Sequence, residues 1–386
     1  MGKWETVRLG DIGGFRTGGT PSRKISDYFN GEHPWITTVA LGDTYIGSSY
    51  ANEFLTDEAI EKSATKVIPA NSLLIGIRVG VGKTSINSVP MCTNQDIVSI
   101  SDIDCSLISI EYLQKYIGTL KGYFDSQKRG ATIQGINTGI VKELMIPLPP
   151  LDVQQKIADV LDNASALIEL RKAQMEKLDM LIKSRFIEMF GDLRTNNMSW
   201  DMYPFSYVGT IDTHMTNDFE LYADVPHIGI ENIEKSTGRI LSYTLVKDSN
   251  LKSGKYPFDE RHLIYSKIRP NLNKVAKPNF KGVCSADAYP ILPTENSNRD
   301  YLALVLRSDF FLEYILAFSG RTNIPKVNKK QLERFCLPVP PIRLQNEFAA
   351  FVERVEVQKE LLQQSLKKLE LNYKALMQKC FRGDLF

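Results

Sequence analysis

Two phrases of this chain recur about 191 residues apart. Ile146-Pro147-Leu148-Pro149-Pro150-Leu151 runs into Asp152-Val153-Gln154-Gln155. Leu337-Pro338-Val339-Pro340-Pro341-Ile342 runs into Arg343-Leu344-Gln345-Asn346. Each Pro-Pro phrase opens a long helical pattern, and each pattern stops near Gly-Asp, at Gly191-Asp192 and at Gly383-Asp384. The period is far too long for a solenoid, so it means two copies of a globular part plus a helix. With 386 residues there is room for both. Two similar heads on two long helices suit a chain that touches two similar things at a fixed distance.

The helical patterns carry the sharpest expectation. From Ile157 the apolar positions run Leu161, Ala164, Ile168, Met175, Leu178 and Ile182, broken only by Arg171. The second copy repeats this as Phe348, Val352, Val355, Leu362, Leu366, Leu369 and Tyr373, broken only by Lys359. Alternating steps of four and three are a heptad seam. A lone helix would leave that stripe in water, so the two stripes are expected to bury against each other, antiparallel. About 38 residues at about 1.5 Å each make a rod of roughly 57 Å. Asp152 and Gln155 have the spacing of a capping box, and the prolines before them block any helix from upstream.

The intervening stretches read as mixed α/β (α+β). Leu73-Leu74-Ile75-Gly76-Ile77 and Ile97-Val98-Ser99-Ile100 have the apolar, β-branched character of buried strands. Ile108 to about Lys121 reads as an amphipathic helix with Ile108, Tyr112, Tyr116 and Leu120 on one face. In the second copy, Leu263 to Arg269 answers Leu73 to Arg78, Tyr301 to Phe318 answers the helix, and Trp200 answers Trp4. The organisation expected is a first globular domain at 1–150, a long helix at 151–192, a second domain at 193–341 and a last helix at 342–386.

Several function classes lose support. No run of about 18 apolar residues is present, so no membrane partner is expected. Met1-Gly2-Lys3-Trp4 enters fold-like sequence directly, so the chain is expected in the cytoplasm. The five cysteines are scattered, and only Cys92 and Cys284 fall at matching places, which suggests packing. His33, His214, His227 and His262 stand alone, so no metal site is expected. Gly76 to Thr84 hints at a phosphate loop, but five residues separate Gly76 from Gly82-Lys83-Thr84, and the second copy has Asn273-Lys274-Val275 there. No base-methyltransferase motif occurs, since Leu148 and Val339 precede the two Pro-Pro pairs. No catalytic residues are expected. The net charge of +2 gives no general basic footprint, so contacts to nucleic acid would have to be local.

A resemblance follows from motifs in a fixed order. These are Gly18-Gly19-Thr20-Pro21-Ser22, Pro34-Trp35-Ile36, Asn94-Gln95-Asp96 and Gly130-Ala131-Thr132-Ile133-Gln134-Gly135-Ile136-Asn137. The Pro-Pro phrase with Gln154-Gln155-Lys156-Ile157 completes them. With the duplication and two heptad helices, the chain resembles the specificity subunits of type I restriction-modification enzymes over essentially its whole length. The resemblance implies two target recognition domains that each read half of a bipartite double-stranded DNA site. It implies helices that act as a ruler and as a platform for two methyltransferase subunits, with motor-nuclease subunits joining for cleavage. S-adenosylmethionine, ATP and Mg would belong to those partners, and this chain would carry no cofactor. The second copy lacks the Gly-Gly-Thr-Pro-Ser loop and the Asn-Gln-Asp triplet.

Arg and Lys fix phosphates or read guanine, whereas Asn and Gln can read adenine. Candidate DNA contacts in the first copy are Thr20, Ser22, Arg23, Lys24, Arg78, Lys83, Gln95, Lys128, Arg129, Thr132, Gln134 and Asn137. In the second copy they are Lys267, Arg269, Asn273, Lys274, Arg321, Asn323, Lys326 and Asn328. Thr132, Gln134 and Asn137 could instead pin the backbone of their own loop. The alternative reading is a coiled-coil scaffold that presents two protein-binding heads.

Overall fold

The computed structural model describes residues 4–129, 135–318 and 326–386. It is a mixed α/β protein that divides into two compact units. One comprises Met1–Lys172 with Gln364–Phe386, the other Ala173–Gln363. Each unit thus combines one globular copy with adjoining parts of both long helices.

In the first unit, Leu73–Gly76 is the central strand of five, in the order Gly14–Thr17, Ile97–Ser101, Leu73–Gly76, Thr84–Asn87, Tyr45–Ile46. Leu73, Ile75, Val98 and Ile100 pack on the helix Ile110–Thr119, while Leu74 and Ile97 pack the other way, with Ile36, Ile46 and Met91. Burial on both faces is why these strands read as continuous apolar runs. A second sheet joins Glu53–Leu55, His33–Ile36 and Cys92–Thr93. The second unit repeats the scheme with Gly209–Ile211, Ala288–Pro293, Leu263–Ser266 and Val275–Ala276 in one sheet. Its other sheet joins Thr244–Leu245, Pro226–Ile228, Gly282–Cys284 and Tyr256–Phe258. In both units a short strand carrying a cysteine pairs in parallel, Cys92 opposite Trp35 and Cys284 opposite Ile228. Both cysteines are wholly buried. Burial pushes the Cys92 thiol up to about 11 and the Cys284 thiol up as well, as befits packing residues.

The first expected amphipathic helix forms and a second short helix follows it, whereas the one answering it is split in two. Ile110–Thr119, capped by Ser109, is followed by Lys121–Gln127. Arg299–Arg307 is followed by Asp309–Leu316, because the Ser308 hydroxyl accepts the Phe311 N–H and starts a new helix.

The long helices are Leu151–Phe190 and Ile342–Arg382, of 40 and 41 residues. In the first unit Ile157 and Leu161 share a core with Tyr373, Leu376 and Cys380. In the second, Phe186 and Phe190 pack edge-on against Phe348, with ring centroids 5.6 and 5.4 Å apart, while Asp179 meets Lys359. Low numbers on one helix meet high numbers on the other, so within each unit the helices run antiparallel. Lys359, which interrupts the seam, places its Nζ 2.6 Å from Asp179 and 3.2 Å from Glu356. Both helices stop at a glycine in the left-handed region, Gly191 at φ +76° and Gly383 at φ +78°. The Asp152–Gln155 capping box does not form. The helix already begins at Leu151, Asp152 pairs with Lys156 at 2.9 Å, and Gln155 donates to Asp159 at 2.9 Å.

The neighbouring Gln154 does the work instead. It is 0% exposed, its Nε2 donates to the Leu107 and Pro149 carbonyls, and its Oε1 accepts the Ser109 N–H. Gln345, also 0% exposed, does the same with Asn296 O, Pro340 O and Asn298 N–H. Beside them the buried hydroxyls of Tyr112 and Tyr301 donate to Pro147 O and Pro338 O, at 2.9 and 2.6 Å. This joint fixes each globular copy to the start of its helix. No helix of the described residues is long and apolar enough to cross a membrane.

Candidate nucleic-acid interface

In the first unit, motifs far apart in sequence converge on one exposed edge. Gly19 N–H donates to Thr93 O at 2.9 Å, and Trp35 Nε1 donates to Gly19 O at 3.1 Å. A Cβ at Gly18 would lie 2.2 Å from Thr93 Oγ1 and 2.3 Å from Asn94 O, so only glycine fits. We expect Gly18→Ala to lower stability by about 1–3 kcal/mol, the usual range for overpacking. An unchanged thermal midpoint would refute the contact. The Thr20 hydroxyl donates to Gln95 Oε1 at 2.6 Å and ties the loop to the Asn94-Gln95-Asp96 turn.

That turn is closed on itself. Asn94 Oδ1 accepts the Asp96 N–H and Asn94 Nδ2 donates to Asp96 Oδ2, at 3.2 and 3.1 Å. Asp96 O accepts the Ile77 N–H at 2.8 Å, and its carboxylate lies 3.7 Å from Arg78. Gly135 sits against Arg78, where a Cβ would lie 3.0 Å from the Arg78 Cα, and exchanges two backbone bonds with Arg129. Thr20, Gln95, Arg78 and Arg129 therefore form a connected, exposed line, with Ser22 and Lys24 exposed on the adjoining loop. The tempting Gly76 to Thr84 segment is a hairpin between two strands, with Lys83 exposed near its end. No helix follows it, so no helix N-terminus is offered to a phosphate.

Other candidates are committed elsewhere. Both Arg23 guanidinium nitrogens bond the Glu53 carboxylate, one at 2.9 Å. The same guanidinium lies 4.3 Å over Phe29 and 5.0 Å over Trp35. Lys128 pairs with Asp125 at 2.5 Å. Asn137 and Asn328 are helix N-caps, accepting the N–H of Ile140 and Gln331. Thr132, Gln134, Arg321 and Asn323 lie outside the described residues.

The second unit keeps the same turn under a different sequence. Ser285 Oγ accepts the Asp287 N–H at 3.2 Å, as Asn94 does for Asp96, and Asp287 O accepts the Lys267 N–H at 3.0 Å. This copy lacks the Asn-Gln-Asp triplet, yet it keeps the aspartate and the turn. Asp287 lies 3.8 Å from exposed Lys326. Lys267, by contrast, is only 7% exposed, with its ammonium 4.8 Å from the Tyr289 ring centroid. Burial, then the nearby Lys326 charge, lowers its pKa below the ordinary lysine value. Asn273 donates to Arg307 O and Lys274 to Ile230 O, each at 2.8 Å. Arg269 stays exposed, with its backbone left-handed at φ +48°. Among the described residues no group of three or more His, Cys, Asp or Glu is placed to hold a metal ion.

A family model for the type I restriction modification DNA specificity domain matches residues 1–180 and again 200–371. The chain belongs to this family. Its two matches are the two copies seen in the repeat. The type I restriction enzyme EcoDI specificity subunit of Escherichia coli is 26% identical over 99% of this chain and 88% of its own length. The MjaIX specificity subunit of Methanocaldococcus jannaschii is 25% identical over 99% of this chain and 93% of its own. The type I system S subunit from M. genitalium shares the fold at a TM-score of 0.56 and 13% identity, covering 98% of this chain and 96% of that one.

Proposed function

We propose that this chain is the DNA-reading, non-catalytic subunit of a type I restriction-modification enzyme. Residues 1–150 and 193–341 each read one half of a bipartite duplex site. The long helices set the distance between the half-sites and carry two methyltransferase subunits, with motor-nuclease subunits joining for cleavage. S-adenosylmethionine, ATP and Mg act in those partners, and the chain works in the cytoplasm. The observation that carries this reading is the duplicated turn: in both copies an exposed cation stands beside Asp96 or Asp287 on a solvent-facing edge. Each long helix is unbroken, which suits a ruler.

Methylome sequencing of cells expressing this chain with its methyltransferase, against cells lacking it, tests the proposal. A new methylated motif of two short half-sites around a fixed gap is expected. With all subunits soluble and co-purifying, no new motif sinks the reading and favours a protein-binding scaffold. Duplex binding gives a second check through counterion release. Removing exposed Lys24 with Lys24→Ala should reduce the slope of log affinity against log salt by about one phosphate contact, roughly 0.9. An unchanged slope removes Lys24 from the interface.

A further inference from the structure

We infer that Asp96 and Asp287 are positioning residues, each holding one cation, Arg78 or Lys326, to read a guanine in its half-site. The inference rests on the DNA-reading role proposed above and says how each edge performs it.

An aspartate on a surface that approaches phosphates is repelled by them, so its presence in both edges needs a compensating use. The two aspartates occupy the same place in the fold. Each closes a turn whose first side chain accepts its N–H, from Asn94 or Ser285. Each carbonyl receives an N–H from the residue after the central strands, Ile77 or Lys267. The rest of the turn has diverged, and so have the cations. Arg78 comes from the hairpin after the strand, whereas Lys326 follows the segment 319–325. Two unrelated chain positions thus bring a positive charge to the same carboxylate, at 3.7 and 3.8 Å.

Those distances also decide the role. At more than 3.5 Å the carboxylate steers its cation without saturating its donors. Arg78 and Lys326 keep 52% and 58% of their side chains exposed. Arg23 is the contrast, gripped by Glu53 through two nitrogens and lying on aromatic rings, with little left to offer a base. A steered, exposed guanidinium matches the O6 and N7 acceptors of guanine, the commonest specific major-groove contact. Lysine presents a point charge without the planar fork, so the second half-site should tolerate other bases at its guanine more readily than the first.

The test uses the chain assembled with its methyltransferase subunits. Asp96→Asn should relax the preference for one guanine of the first half-site by about tenfold and leave the second half-site unchanged. Asp287→Asn should do the reverse. Asp96→Asn should add nothing to Arg78→Ala, because the aspartate acts through the arginine. With the unaltered protein, replacing that guanine by 7-deazaguanine should weaken binding similarly, a result independent of how the variants fold. The inference is overturned if both aspartate variants weaken cognate and scrambled duplexes by one common factor. It is equally overturned if base preferences do not move, or if 7-deazaguanine changes nothing. If the unaltered complex yields no bipartite motif at all, the underlying DNA-reading role fails instead.

Discussion

Gln345→Leu should lower the stability of the second unit by about 3 kcal/mol or more. Leucine fills most of the same space but leaves Asn298 N–H, Asn296 O and Pro340 O without their partner in a fully buried place. Each orphaned buried group costs about 1–3 kcal/mol, and the three costs do not add fully. Gln154→Leu should do the same to the first unit, where Ser109 N–H, Leu107 O and Pro149 O lose theirs. The comparison is Gln155→Leu, one residue along, where the side chain is exposed and bonds only Asp159. That change should stay within about 0.5 kcal/mol. Urea unfolding followed by amide exchange in each unit separates the effects. If Gln154→Leu and Gln155→Leu prove equally mild, the joint is not what holds the head to its helix.

This contrast shows where sequence reasoning stops. The Pro-Pro phrases and the heptad seam were legible because helices and breakers act over a few neighbouring residues. Leu73 to Ile77 and Ile97 to Ile100 were legible because strands buried on both faces need unbroken apolar runs. The joint was not legible. Gln154 and Gln155 look alike in sequence, and only the fold decides that the first points into Leu107, Ser109 and Pro149 while the second faces water. Tyr112 reads simply as an apolar-face residue and Tyr301 as the start of the answering helix, yet each hydroxyl satisfies a proline carbonyl about 35 residues on.

The candidate edge was half legible for a related reason. Residue type alone picks out Thr20, Gln95, Arg78 and Arg129, which do meet. It does not separate them from Arg23, which Glu53 and two aromatic rings hold, or from Lys267, which is buried beside Tyr289 just past the strand. Asp287 is not legible as an equivalent, because Ser285-Ala286-Asp287 does not look like Asn94-Gln95-Asp96. A serine hydroxyl and an asparagine carbonyl nevertheless accept the same turn-closing N–H. The signal that could have found it was spacing, since Asp287 lies 191 residues after Asp96, as Gln345 does after Gln154.

Inserting one heptad into both long helices, after Lys172 and after Gln363, should lengthen the preferred gap between half-sites by up to about three base pairs. Seven residues add about 10 Å of helix, and DNA rises about 3.4 Å per base pair. Seven is the insertion length that keeps the apolar seam in phase. The points chosen lie where the chain passes from one unit to the other, so both heads and their joints keep their own contacts. A heptad in the first helix alone gives it about two turns more than its antiparallel partner, and methylation should be lost. The readout is the methylated motif in cells carrying each variant, with co-purification of the methyltransferase as proof of assembly. An assembled, doubly extended chain that still methylates the original gap would mean that something other than the helices sets the spacing.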